Sequence, residues 1–496
     1  MARQLRNQAI GLLCRDRNMQ SFMLAHHLDD QAEGIVLRLM RNRLRTGLIG
    51  MKSVEWIPEC HGIHGVYHSS KTARQLDIGL PFPFESGGIQ ALRPLLGFSK
   101  SRLIATCKEH STTWVEDKTN QDVTLTNRNA IRHIFRNHKL PAALSRDSLV
   151  SLAVHMKKRL DSHKEIVDDL FEKCPMKLDI QTGSLVVRLP PVASLLDRPI
   201  LTESDILLAR TSAILLVSRL ASLVSPKTSA STLGQLSSSI DIFYPALRTR
   251  HPTHAMLRLW ERPDSTWANI WFRRWDKLSP FRLSDDPIER HTMEWLMNRR
   301  RVVNNVSSLY DHQIIVPTLR IDPSSGEKWH LFDDRYWMRV KNHGSAPLKI
   351  RNFEPEDVKT PSEDIKKVPT ADRPRVRSDH LIKTVVMLIK DKRLRRGFPG
   401  IFSTDEEGRD ILVALPTFNF TVRLSETVNE NLHYDIRYKK IDMGNRSLDD
   451  IVVPVITKAQ IADAVRNLMY SKTEPSLSAI SKTRQSPDPH TVDQQS

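Results

Sequence analysis

The chain has 496 residues, an apolar fraction of 40%, a formal net charge of +17 and a pI near 9.8. That length predicts about two to four domains, and the basic balance points to a polyanion such as nucleic acid. The longest apolar run, residues 205–224, is broken by Arg210 and Arg219, which excludes a membrane span there. Cys14, Cys60, Cys107 and Cys174 show no Cys-x-x-Cys spacing, which argues against a zinc site or a disulfide framework and fits a reducing compartment.

Taken along the chain, Phe22 to Ala25 is expected to be the end of a buried strand, with His26-His27 as the turn after it. Ala32, Ile35, Val36, Leu39 and Met40 then follow helical spacing. Asp29 and Asp30 fall in the first turn of that helix, where the macrodipole favours anions, and Asp30 and Glu33 share a side. One such residue would be ordinary helix capping; two imidazoles and three carboxylates together need partners. A metal-dependent phosphoesterase is an alternative, but it calls for further His or Asp clusters downstream, and none is as dense.

Arg93-Pro94-Leu95-Leu96 leads into a helix capped by Ser99, with Leu103, Ile104 and Cys107 expected inward. The segment Trp114 to Asp122 is expected to be a short strand ending in an Asx-rich turn. A helix opening at Asn127 carries Arg128, Arg132 and Arg136 as a basic stripe opposite Ile131, Ile134 and Phe135. Such a stripe is often a solvated face; beside a polar loop and an acidic cluster it suggests a phosphate-binding rim.

Ser148 to Cys174 is expected to be a helical connector, and residues 176–340 a mixture of helices and strands. Trp260, Trp267, Trp271 and Trp275 suit either base stacking or core packing, and core packing is the simpler account. Residues 353–378 are rich in Pro and both charge signs, as in a linker. A helix from Leu381 leads to a basic turn with Lys392, Arg393, Arg395 and Arg396, then strands over 411–415 and 418–424. Beyond about residue 470 the composition predicts a disordered tail, and there are no internal repeats. No signal peptide is readable, and Asp16 argues against a transit peptide.

These motifs, in this order, resemble the tRNA(Ile)-lysidine synthetase family of N-type ATP pyrophosphatases. The run Ala25-His26-His27-Leu28-Asp29-Asp30-Gln31-Ala32-Glu33 matches the family's Ala-His-His-x-Asp-Asp-Gln-x-Glu. Arg93 to Leu96, Trp114 to Asp122, Arg128 to Arg132 and Gly47 to Met51 match further family elements, so the resemblance covers residues 1 to about 140. It departs at Gly34, where the family favours Thr, and at Asn42-Arg43-Leu44, where it favours Gly-Ser-Gly. The family's phosphate loop, Ser-Gly-Gly-x-Asp-Ser, is expected well upstream of His26, but only 25 residues precede His26 here. Ser86-Gly87-Gly88 lacks the Asp-Ser. A chain without that loop is expected not to form lysidine by itself, and its strand ending at Ala25 to leave an exposed edge.

The fold this implies is α/β: a partial parallel-sheet, ATP-pyrophosphatase-like domain, then a helical connector and α+β carboxy-terminal domains. The expected boundaries are 1–147 for the truncated catalytic domain and 148–352 for the connector and mixed domain. The linker at 353–378, a tRNA-binding-like domain at 379–470 and the tail at 471–496 follow. The implied activity is ATP-dependent ligation of free L-lysine to C2 of the wobble cytidine of an isoleucine tRNA, through an adenylylated intermediate, with ATP and Mg²⁺. His26, Asp30 and Glu33 take catalytic roles by that resemblance, with Asp30 and Glu33 receiving the lysine ammonium. Arg6, Arg128 and Arg132 take the cytidine and triphosphate; Arg136, Lys392, Arg393, Arg395 and Arg396 take the tRNA. The alternative is a non-catalytic tRNA-binding relative. No protein-held metal and no membrane are expected, the oligomeric state is open, and residence is mitochondrial by the resemblance, or cytoplasmic for a bacterial protein.

Overall fold

The computed structural model describes residues 2–43, 45–57, 80–85, 88–225, 233–248, 264–267, 269–274, 294–299, 313–358, 378–389, 394–395, 397–404, 408–421 and 432–470. The amino-terminal body comprises α1 (Ala2–Asp16), β1 (Ser21–Met23), α2 (Leu28–Met40), β2 (Val54–Trp56), β3 (Gln90–Leu92), α3 (Lys100–Glu109), α4 (Asn127–Asn137) and the start of α5 (Arg146–Lys173). Next come β4 (Met176–Asp179), β5 (Ser184–Arg188), α6 (Glu203–Ser222), α7 (Leu233–Phe243), β6 (Asp264–Trp267), β7 (Ile270–Arg274) and β8 (Glu294–Arg299). The rest is β9 (Ile314–Val316), β10 (Trp329–Phe332), β11 (Tyr336–Asn342), β12 (Leu348–Asn352), α8 (Ser378–Leu388), β13 (Pro399–Thr404), β14 (Asp410–Leu415), β15 (Phe420–Thr421), β16 (Leu432–Tyr438) and α9 (Lys458–Tyr470).

The chain is thus mixed α/β. Its amino-terminal sheet has the order β1-β3-β2, with β1 parallel and β2 antiparallel to β3. Among the described residues β1 is therefore an edge, and Leu24 N–H extends its ladder by donating to Leu92 O at 2.8 Å. The strand is less buried than its apolar run suggests: Met23 is 73% exposed, because an edge strand of a small sheet covers only part of its surface. Cys14, Ile57, Ile89 and Ala91 form the small core beneath it.

No strand forms at Trp114–Asp117. Asp117 and Asp122 instead accept from the backbone N–H of Thr119 and Thr124, both at 2.9 Å, so the segment bends back on itself. Ser99 caps α3 as expected, accepting from Arg102 N at 3.3 Å, yet none of α3's residues is fully buried, Leu103, Ile104 and Cys107 included.

The 28-residue α5 belongs to two cores. Leu149 and Ala153 pack with Ala32, Ile35 and Leu48, while Val167, Leu170 and Phe171 enter the large central core. That core lies under a five-stranded sheet of order β4-β5-β8-β7-β6 and a three-stranded sheet β10-β11-β16. Trp267 is buried in it and Trp271 packs on a neighbouring cluster, whereas Trp260 and Trp275 lie outside the described residues. A second five-stranded sheet, β15-β14-β13-β12-β9, joins strands from both sides of residues 353–378. The segments read as separate domains from sequence thus share one sheet, with β12 paired to β13. Phe353 is buried against Phe398 at 5.1 Å, and Asp357 pairs with Arg351, so the chain stays folded to residue 358. Among the described residues no helix is long and apolar enough to cross a membrane.

Residues 80–85 tie the amino-terminal body to β16. Tyr438 N donates to Pro83 O at 2.9 Å, and Glu85 N donates back to Tyr438 O at 2.6 Å. One oxygen of the buried Glu85 carboxylate, Oε2, accepts from Trp337 Nε1 at 2.9 Å and from Lys440 N at 3.0 Å. Lys440 Nζ sits 3.8 Å above the ring of Trp56 in β2.

Candidate functional site

The site is organised by the first turn of α2. His27 is its N-cap, with extended backbone, and its N–H donates to Asp30 Oδ2 at 3.0 Å. Asp29 shares the His27 ring with Asp30, at 3.6 and 3.5 Å, but has its own further partners. It accepts from Lys100 N at the start of α3 at 2.7 Å and pairs with Arg146 Nε of α5 at 3.0 Å. Asp29 therefore fastens three helices together, a role the sequence run did not separate from that of its neighbours.

Asp30 and Glu33, both buried, point toward α4. Arg132 Nε donates to Glu33 Oε1 at 2.7 Å, its Nη2 lies 3.3 Å from Asp30 Oδ1, and its Nη1 reaches Asn120 Oδ1 at 2.7 Å. Arg128 Nε stands 3.0 Å from Glu33 Oε2. Burial works against the Arg132 charge, but its bonds to Glu33 and Asp30 outweigh that and hold its guanidinium above the ordinary range. Two motifs almost a hundred residues apart are thus joined in one ionic cluster.

The polar turn at 118–122 is docked on the same helix. Asn129 Nδ2 donates to Thr119 O at 2.9 Å and to Asp122 O at 2.8 Å, while Thr126 caps α4 by accepting from Asn129 N at 3.1 Å. Gln31 does a similar job on α2's other flank. Its amide donates to Met51 O at 3.0 Å and accepts from Met51 N at 2.6 Å. Gly50, at φ +74°, leaves room for it: a Cβ there would lie 2.6 Å from Gln31 Oε1.

A cavity of about 620 Å³ opens beside this cluster, lined by His26, Arg6 of α1, Arg38 of α2 and Arg128 of α4, with Phe22 and Leu24 along its floor. Arg41 and Arg43 after α2, and Lys52 and Arg93 near β2 and β3, add further positive charge. Among the described lining residues Glu55 is the single carboxylate, and Arg93 takes it at 3.2 Å while donating to Lys52 O at 2.9 Å. This excess of guanidinium suits a polyphosphate or a nucleic-acid backbone. A group of His, Cys, Asp and Glu able to hold a metal ion is absent among the described residues.

Of the residues singled out from sequence, His26, Asp30, Glu33, Arg6, Arg128 and Arg132 gather at this cluster and cavity. Arg136 does not; it is exposed farther along α4, where it acts on Glu116. Arg395 bonds the carbonyls of Ile389 and Met387 at the end of α8, at 2.9 and 3.4 Å. Lys392, Arg393 and Arg396 lie outside the described residues. Sequence reasoning missed Arg38, Arg41, Arg43, Lys52 and Glu55; a basic run after the helix was a signal for Arg41 and Arg43 alone.

Residues 1–138 match a family described as the PP-loop domain. This part of the chain is similar to PP-loop domains and to the corresponding part of tRNA(Ile)-lysidine synthases. A probable tRNA(Ile)-lysidine synthase of Schizosaccharomyces pombe is 34% identical over 174 residues, 34% of this chain and 33% of that protein. The tRNA(Ile)-lysidine synthase of Wolbachia pipientis wMel is 30% identical over 161 residues, 32% of this chain and 29% of its own. That of Pectobacterium atrosepticum is 27% identical over 187 residues, 38% of this chain and 34% of its own. The chain spans about a third of the length of these relatives.

Proposed function

We propose that the protein acts in ATP-dependent ligation of lysine to C2 of the wobble cytidine of an isoleucine tRNA. One observation carries the reading: the cluster of Asp30, Glu33, Arg128 and Arg132 borders a cationic cavity that His26 lines, within the PP-loop match. ATP is a substrate: the cytidine O2 attacks its α-phosphorus and pyrophosphate leaves. The lysine ε-amine then attacks C2, the C2–O bond breaks, AMP departs and the amine loses a proton.

The chain's own residues answer these demands. Arg6 and Arg128 face the cavity and would hold phosphate oxygens, with Mg²⁺ arriving on the nucleotide. His26 borders the same space and would take the proton from the attacking amine. The lysine ammonium goes to Asp30 and Glu33. Both are engaged by arginines, so one must yield; Arg128, more exposed than Arg132 and lining the cavity, is the partner a phosphate would draw off Glu33 Oε2. The extruded cytidine is read inside the cavity, as in other enzymes that modify bases.

The test is equilibrium binding of labelled lysine, in the presence of ATP, to the protein and to Asp30→Asn and Glu33→Gln. Removing one charge-assisted hydrogen bond from a desolvated site costs at least about 2 kcal/mol, or roughly 30-fold in affinity, while tRNA binding stays unchanged. Equal lysine affinity in all three proteins, or none in the unmutated one, would overturn the assignment.

A further inference from the structure

The cavity runs along α2. His26 and the ionic cluster mark the helix's first turn, and Arg38, Arg41 and Arg43 its last turn and exit, about 18 Å away at 1.5 Å per residue. At this far end the chain leaves the helix through Asn42, whose φ of +53° turns it back, and Arg43 N donates to Arg38 O at 2.8 Å. Gly47, in the 3-10 turn Arg45–Leu48, lets the returning chain pass close, since a Cβ there would lie 2.9 Å from that of Arg43.

Cations at a helix end complement its dipole, and Arg38 fills that role by donating to Gly47 O at 3.0 Å. The dipole leaves Arg43 unexplained. Burial and then repulsion from Arg43 pull the Arg38 guanidinium below its ordinary range, and attraction to Glu55 offsets this only in part. Among the described residues no carboxylate stands within ion-pair distance of Arg41, Arg43 or Lys52, all exposed on the cavity wall. Like charges gathered in a cavity whose single described carboxylate, Glu55, is taken by Arg93 are an arrangement awaiting an anion.

We propose that Arg38, Arg41, Arg43 and Lys52 form a second phosphate-binding site, separate from the ionic cluster at the head of α2. It takes phosphate groups spaced along a strand, and the span between the two ends suits an RNA backbone flanking a nucleotide held near His26. RNA as the source rests on the function proposed above; the phosphate chemistry does not.

The experiment compares the protein with Arg41→Gln/Arg43→Gln and with Arg41→Lys/Arg43→Lys. Both side chains are exposed, so the fold should tolerate either change. The probes are a fluorescein-labelled isoleucine tRNA anticodon stem-loop and a fluorescent ATP analogue, each titrated over a range of salt. For RNA, removing two phosphate pairings, at about 0.7 each, lowers the slope of log K against log salt by about 1.4, roughly 25-fold in affinity near 0.1 M. The lysine variant should keep the slope. Loss of the ATP analogue with RNA binding unchanged would name a nucleotide's phosphates as the ligand. Unchanged slopes and affinities for both probes, or no binding of either by the unmutated protein, would overturn the proposal. Lysine affinity reads the other end of α2, so failure here and failure of the lysine assignment are distinguishable.

Discussion

Replacing Arg132 by alanine is expected to cost α2 and α4 about 3 kcal/mol of local stability. The guanidinium is the closest partner of Glu33, at 2.7 Å, and also reaches Asp30 and Asn120. Its removal leaves carboxylates that are almost wholly buried facing one remaining arginine. The figure sits at the low end for a broken buried pair because Arg128 persists and the Arg132 side chain is itself 23% exposed. Arg132→Lys should lie between, since one ammonium cannot meet three acceptors in the guanidinium's fork. Arg128→Ala should cost less, its side chain being 36% exposed. Hydrogen exchange of α2 and α4 amides reads this directly; a change below about 0.5 kcal/mol in Arg132→Ala would show that the cluster does not hold the helices together.

The second large effect is expected at Glu85. Burial pushes its carboxyl up, and bonds from Lys440 and Trp337 counter that. Glu85→Ala strands one buried donor, Trp337 Nε1, at about 1–3 kcal/mol, and one half-buried donor, Lys440 N, at less. Both donate to the same oxygen, so Glu85→Gln can present its amide oxygen to both and should be nearly neutral. Protection of the amides of residues 80–85, 88–92 and of β16 should fall in the alanine variant and be retained in the glutamine variant. Equal behaviour of the two would mean that this strap does not couple the site's strands to the carboxy-terminal sheets.

The site was more legible in the sequence than the fold around it. Asp30 and Glu33 share a helix face by their spacing alone, and Asn127 and the apolar Ile131 announce α4, so each half of the ionic cluster could be placed from short-range patterns. What spacing could not tell was how its members pair. Arg128 and Arg132 read as phosphate ligands, yet the structure satisfies them first with Glu33 and Asp30. The exposed Met23 and the Trp114 segment, which joins no sheet, were misleading for a different reason. An apolar run signals a strand but not its place in a sheet, and Asp117 and Asp122 capture backbone donors that a ladder would need. Least legible were long-range pairings. That β12 pairs with β13 across a charged, proline-rich stretch, and that Glu85 meets Trp337, depends on encounters with no local signature.

The central claim is tested most directly by the nucleosides of isoleucine tRNA in cells depleted of this protein. Mass analysis should show lysidine lost from the wobble position and unmodified cytidine in its place, restored by the native protein and not by Glu33→Gln. Undiminished lysidine in the depleted cells would contradict the account.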